Sequence, residues 1–171
     1  MFNNLQFRQL IIQPVLQAIY LYSQAAEDLL VGTCAQESKG GTYLFQQGTN
    51  PDLYASLKKN ELAVGIYQMQ PATHDDLWAR FLPLTHTTTV GMLVFCGLPY
   101  TVKPKASTML YNLYYATAMA RLYYYHTVSE PIPDTLDLQA EYYKKHYNTA
   151  NGKATTDEYI LNYNYFGGTK K

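Results

Sequence analysis

Tyrosine is the feature that most constrains how this chain can fold: 18 Tyr stand against 6 Phe and 1 Trp. A tyrosine ring favours burial, while its hydroxyl needs water or a hydrogen-bond partner. A fold storing this much aromatic surface must place ring edges on half-wet faces or supply an acceptor for each hydroxyl it encloses. The pattern predicts half-exposed faces, suited to carbohydrate or protein contact or to a wet core boundary. Charge is sparse, with 15% charged residues and 13 Lys+Arg against 13 Asp+Glu. A net charge of zero excludes a strongly basic nucleic-acid binder, because phosphate affinity needs a positive excess. With 47% hydrophobic residues most of the chain is not disordered. Its 171 residues amount to a single domain, 1–171.

No apolar run reaches the ~18 residues of a bilayer span, so no membrane partner is expected. The first 13 residues carry one Arg and no cleavage site after an apolar run, and no export signal is expected. Cys34 and Cys96 are expected as buried thiols. His74, His86, His126 and His146 are scattered without metal-ligand spacing, so neither a metal nor another cofactor is expected.

Apolar residues recurring every three or four positions predict helices over 15–22 and 24–38, with Pro14 in a first turn and Ser23 as a cap. Gly40 and Gly41 end the second helix at a corner carrying Glu37. Residues 42–45 and 63–69 are short extended candidates around a loop over 46–60. Further helices are predicted over 71–81, with Asp75 and Asp76 placed for the helix dipole, and over 87–96, 105–126 and 136–147. Thr155 to Glu158 forms a capping box that opens a last helix to 166, and the tail 167–171 is expected to fray. The fold class expected is mainly α, with a small β-like element beside a cleft.

The informative pair of segments is Ala35-Gln36-Glu37-Ser38 and, some thirty residues on, Ala63-Val64-Gly65-Ile66-Tyr67-Gln68-Met69-Gln70-Pro71-Ala72-Thr73. A lone carboxyl at a helix end, packed against apolar and amide groups, has a raised pKa and holds a proton near neutrality. Glycosidic cleavage needs such a group, because the leaving oxygen is protonated as the sugar gains oxocarbenium character. Trp78, Tyr123-Tyr124-Tyr125 and Tyr142-Tyr143 are open to two readings, sugar stacking or core packing.

These segments resemble the lytic transglycosylase family, which shares the lysozyme-like fold with goose-type lysozymes. There a Glu-Ser pair at a helix end is followed by Gly-Leu-Met-Gln-Ile/Leu-Met-Pro-Ala-Thr. Tyr67 stands here for the usual first Met and Gln70 for the second, and the likeness covers residues 29–78. The family's later Ala-Tyr-Asn-Ala-Gly segment has its nearest counterpart in Asn162-Tyr163-Asn164-Tyr165.

The resemblance implies a lysozyme-like fold and peptidoglycan glycan strands as substrate, cut at the β-1,4 bond between N-acetylmuramic acid and N-acetylglucosamine. Glu37 would be the general acid and base. Ser38, Gly65, Tyr67, Gln68 and Tyr163 would contact substrate. One carboxyl suffices in that family, because the N-acetyl group assists and a 1,6-anhydro closure replaces water. A water-using route favours a second carboxylate, for which Asp75 and Asp76 are nearest in sequence.

A second resemblance, over 27–33, 66–78 and 147–153, is to small proteins encoded by tailed bacteriophages. It implies a virion location in the phage tail, with other tail proteins as partners. The alternative function is a structural tail protein that keeps the lysozyme-like fold without activity.

Overall fold

The computed structural model describes residues 1–45, 62–148 and 152–167. The loop expected over 46–60 lies outside them, as does nearly all of the terminal tail. Helix dominates, in agreement with the mainly α expectation. The chain opens with α1 (Asn4–Phe7), which Asn3 caps by accepting from the Gln6 N–H. A π-helical turn (Arg8–Ile12) leads without a break into α2 (Gln13–Ala18). Pro14 occupies the first turn of α2, and the wider turn before it absorbs the missing N–H. This helix starts and stops earlier than the 15–22 expectation, ending where Tyr20 turns left-handed at φ 59°.

Helix α3 (Gln24–Ser38) runs over the span predicted. The Ser23 hydroxyl accepts from the Ala26 N–H at its start, and Lys39, Gly40 and Gly41 take φ of 52°, 63° and 81° at its end. Helix α4 (Pro71–Phe81) also begins at the predicted proline, and α5 (Thr87–Phe95) stops one residue before the predicted end. The long helix expected over 105–126 is instead two pieces, a 3₁₀ segment (Ala106–Leu110) and α6 (Leu113–Thr127). Asn112 causes the break. Its side-chain oxygen caps α6 through the Tyr115 N–H, and its amide donates to the Cys96 carbonyl (2.8 Å). Helix α7 (Leu136–Tyr143) passes into a π-helical turn (Lys144–Asn148). After the Thr155–Glu158 capping box, α8 (Thr156–Asn162) continues as another such turn (Tyr163–Gly167).

The β-like element is smaller than expected. Phe45 bridges Val64, and Val64 bridges Met69, so 63–69 is a pinched turn rather than a strand. Gly65 (φ 75°) and Gln68 (φ 47°) make the reversal, closed by the Gln68 N–H to the Gly65 carbonyl. Val64 and Met69 exchange both backbone bonds below it.

The tyrosines divide: eight, among them Tyr20, Tyr111 and Tyr125, are exposed in line with the expectation of half-wet faces, while others lie in the core. Tyr67, Tyr115, Tyr124, Tyr143 and Tyr159 are fully buried, and each hydroxyl is satisfied. Tyr124 meets Thr33 (3.0 Å), Tyr67 meets Thr117 (3.4 Å), and Tyr159 donates to the Leu29 carbonyl (3.2 Å). Tyr115 is held by His74 (2.7 Å) and by the Trp78 indole N–H (2.8 Å), which makes Trp78 a core residue rather than a sugar platform. The rings of Tyr124, Tyr147, Tyr143 and Tyr159 stack in a chain with centroids 4.9 to 5.9 Å apart. Gly32 makes room for this column: a Cβ there would lie 1.9 Å from the Tyr159 oxygen. Cys34 and Cys96 are both buried free thiols.

Candidate active site

Glu37 sits on the last turn of α3, beside an open cavity of about 360 Å³ lined by Gln36, Lys39, Gln68, Gln70, Tyr147 and Asn148 among others. A smaller recess of about 90 Å³ shares Gln68, Gln70 and Tyr147 with it and extends the groove toward Thr73 and Tyr123. Three pieces of chain meet here. The end of α3 carries the acid, the pinched turn presents Gln68 across from it, and the π-helical turn after α7 supplies Tyr147 and Asn148.

The carboxyl is half-buried, and that burial pushes its pKa up to about 7 from an ordinary 4.5. A hydrogen bond from the Tyr143 hydroxyl to Oε1 (2.5 Å) acts in the opposite direction, favouring the charged form. Burial is the larger effect, so Glu37 is protonated in a substantial fraction of molecules at neutral pH. With Oε1 engaged by Tyr143, Oε2 is the oxygen left to carry the proton. Tyr143 in turn is held well above the ordinary tyrosine range, by burial first and by the neighbouring carboxyl second, so it remains a donor.

The remaining candidates separate. Gln68 lines the cavity as expected. Its side-chain N–H donates to the Gly65 carbonyl (2.7 Å), while its Oε1 is buried without a partner among the described residues. Ser38, Gly65 and Tyr67 do not reach the cavity. The Ser38 hydroxyl is fully buried, donating to the Cys34 carbonyl (3.0 Å) and accepting from the Gly41 N–H (3.0 Å). It fixes the helix end from which Glu37 projects. Gly65 packs against the 3₁₀ segment so closely that a Cβ would lie 2.5 Å from the Met109 carbonyl oxygen. Tyr67 points into the core, and only its backbone carbonyl serves the site, accepting from the Tyr147 hydroxyl (2.8 Å). The Tyr67 ring is buried in the core, with its hydroxyl 3.4 Å from the Thr117 hydroxyl.

Tyr163 lies elsewhere, bonded to Arg8 (3.0 Å) and Asp28 (3.2 Å) near the start of α3. Its neighbour Asn162 faces the corner, accepting from Lys39 (3.1 Å) and donating to Gln36 (2.6 Å). The tyrosine that meets the acid is Tyr143. It appeared in the sequence only as half of a Tyr-Tyr pair, and its i,i+4 relation to Tyr147 gave the one hint that the two share a face.

Asp75 and Asp76 are not among the residues around the Glu37 cavity. They also fall beyond the first turn of α4, which corrects the dipole reading. Asp75 is held below its ordinary range by Lys103 (2.6 Å) and by His74 (2.9 Å), and Asp76 pairs with Arg80 (3.0 Å).

No protein-family model, no curated protein and no solved structure matches the chain.

Proposed function

We propose that this chain cleaves peptidoglycan glycan strands at the bond between N-acetylmuramic acid and N-acetylglucosamine, as a lytic transglycosylase or lysozyme of lysozyme-like fold. What supports the reading is one carboxyl, Glu37, half-buried beside an open polar groove with its pKa raised to about 7. A group poised there can give and then take a proton at physiological pH. Glu37 is also the only carboxylate among the described residues lining the cavity. This favours the route that needs one acid over the route that needs a second carboxylate to activate water.

In that route Oε2–H protonates the bridging oxygen, and the C1–O bond breaks toward the N-acetylglucosamine side. The acetamido carbonyl oxygen of the muramic residue bonds to C1 and carries the positive charge. The Glu37 carboxylate then takes the proton from the C6 hydroxyl, whose oxygen attacks C1 and expels the acetamido oxygen. The products are a 1,6-anhydro end and a free 4-hydroxyl, and Glu37 is again protonated. The groove amides of Gln36, Gln68 and Gln70 match the hydroxyl and acetamido groups of such a strand, and Lys39 offers a cation to its carboxylates.

Delivery by a phage tail, where other tail proteins would surround the chain, belongs to the same proposal and draws on the sequence likeness over 27–33, 66–78 and 147–153.

The test is digestion of purified peptidoglycan by wild type and Glu37→Gln, with mass spectrometry of the products. Wild type is expected to release anhydro-ended fragments. The near-isosteric amide, which has no proton to transfer, is expected to lose roughly 10²- to 10⁴-fold in rate. Equal rates would remove Glu37 from the mechanism, and no release by either protein would leave the architectural tail-protein alternative.

A further inference from the structure

A second cavity, about 580 Å³, is larger than the one beside Glu37 and shares no residue with it. It forms where the ends of α2, α4 and α6 meet the start of α5. Its volume falls in the roughly 300–1,000 Å³ range of small-molecule sites. The floor is aliphatic and buried, made by Ile19, Leu82, Met92 and Leu122. Its mouth is different. There the Arg80 guanidinium lies 4.7 Å from the Phe81 ring centroid, and the His126 imidazole stacks on the same ring at 4.7 Å and 7°. Phe81 thus gathers one permanent cation and one imidazole at the same edge of the cavity.

His86 also lines the mouth, its Nδ1 accepting from the Thr88 N–H (3.3 Å), and Tyr20, Thr88 and Tyr125 add hydroxyls to the lining. The Thr88 N–H contact fixes the His86 ring with Nε2 as its donor. No carboxylate lines the cavity, and no Asp or Glu occurs in the sequence between Asp76 and Glu130, the stretch that supplies most of the walls. Asp76 bonds Arg80 from one helical turn back, where both side chains are exposed, and so steadies the guanidinium from outside. An aliphatic floor under a mouth with donors and no acceptor charge complements one chemistry, a hydrocarbon chain that ends in an anion.

We propose that this cavity binds an alkyl chain bearing a negatively charged head, with the chain over Ile19, Leu82, Met92 and Leu122 and the head beside Arg80 and His126. A free fatty carboxylate and an anionic phospholipid present the same chemistry. The absence of a membrane-spanning helix among the described residues does not bear on a site of this kind.

The experiment titrates the intact chain with dodecanoate below its micellar concentration, alongside dodecyltrimethylammonium of equal chain length, by calorimetry. One site is expected, with the cationic analogue at least about tenfold weaker, the scale of one charge-assisted contact. Arg80→Gln is expected to erase that preference while leaving the fold intact, because the side chain is exposed. Thr88→Trp, which fills the mouth, is expected to abolish binding of both.

Histidine ring proton signals give a second readout that needs no variant. Those of His86 and His126 are expected to shift on binding, and those of His74 and His146 to stay in place. Co-sedimentation with phosphatidylglycerol vesicles, with phosphatidylcholine as control, separates the sources: capture by the first alone assigns a bilayer lipid, and capture by neither assigns the free carboxylate. No dodecanoate binding up to about 1 mM, equal affinity for both head groups, or shifts confined to His74 and His146 would each overturn the proposal. Retention by both vesicle types alike would overturn its charge selectivity, and an unknown protein ligand would show as failure of the dodecanoate arm.

Discussion

At the scale of single residues, the opposed effects on Glu37 set the pH behaviour of the site. A general acid works only while protonated, so the cleavage rate is expected to fall through an alkaline limb near pH 7, the raised value that burial produces. The Tyr143 hydroxyl favours the carboxylate, and removing it in Tyr143→Phe takes away the one effect holding the pKa down. The alkaline limb of the pH–rate profile should therefore move upward in that variant; a downward move would mean that Tyr143 favours the protonated acid.

Stability must change with the same sign. Between about pH 4.5 and 7 the folded chain binds more protons at Glu37 than the unfolded chain does, so the contribution of this group falls as pH rises through that window. Glu37→Gln carries no charge to bury. It is expected to melt like wild type at pH 4 and to be more stable by about 1–3 kcal/mol at pH 8, discounted for partial exposure. Thermal melts at the two pH values check this.

Among the elements, local chemistry and distant partners divide what the sequence could reveal. Ser23, the Gly40-Gly41 corner, Pro71 and the Thr155 capping box act within four residues of themselves, and the helices they bound lie where those signals put them. Asn112 is equally local as a cap. Its second bond goes to the Cys96 carbonyl, which no periodicity rule registers, and the predicted long helix hid the break. Glu37 was legible because a helix end and a following turn motif point to one spot. Tyr143 was not, since its partner lies 106 residues away along the chain. The inward turn of Tyr67 is hidden from the sequence for a related reason, since the core that takes its ring draws on distant segments, with Thr117 50 residues on.

The cap itself can be measured. Asn112→Ala removes the bond to the Tyr115 N–H and leaves the Cys96 carbonyl without its donor. A loss of about 1–3 kcal/mol in urea denaturation is expected, with Asn112→Asp recovering the capping part alone.

Across the whole molecule, the first turns and the last described turn, Tyr163–Gly167, close on α3. The Phe2 N–H donates to the Gly40 carbonyl, and Arg8 joins the opening helix to Glu27 (2.7 Å), Asp28 (2.8 Å) and Tyr163 (3.0 Å). Glu27 is almost completely enclosed, and it also accepts from Gln13 (3.0 Å) and Tyr22 (3.2 Å). A buried ion pair adds little over a well-packed apolar pair, yet breaking one strands its partner. Arg8→Met should therefore cost about 3–5 kcal/mol. The double variant Arg8→Met/Glu27→Gln should recover part of it, because the stranded group is then neutral and keeps its two neutral partners. If the double variant is no more stable than Arg8→Met, the cost does not come from the Glu27 charge and lies in lost packing of the Arg8 stem or in the contact that Asp28 loses in both variants.

This clasp lies ten residues before Glu37 on the same helix, about 15 Å along its axis. At that distance the groove is untouched, and the molecules of Arg8→Met that remain folded should titrate Glu37 as wild type does. The separation makes α3 a rod fastened at its first turn by charge and presenting the acid at its last. A shift in the alkaline limb of Arg8→Met would show that the fastening sets the tilt of that rod, and with it how deeply the Glu37 carboxyl is buried.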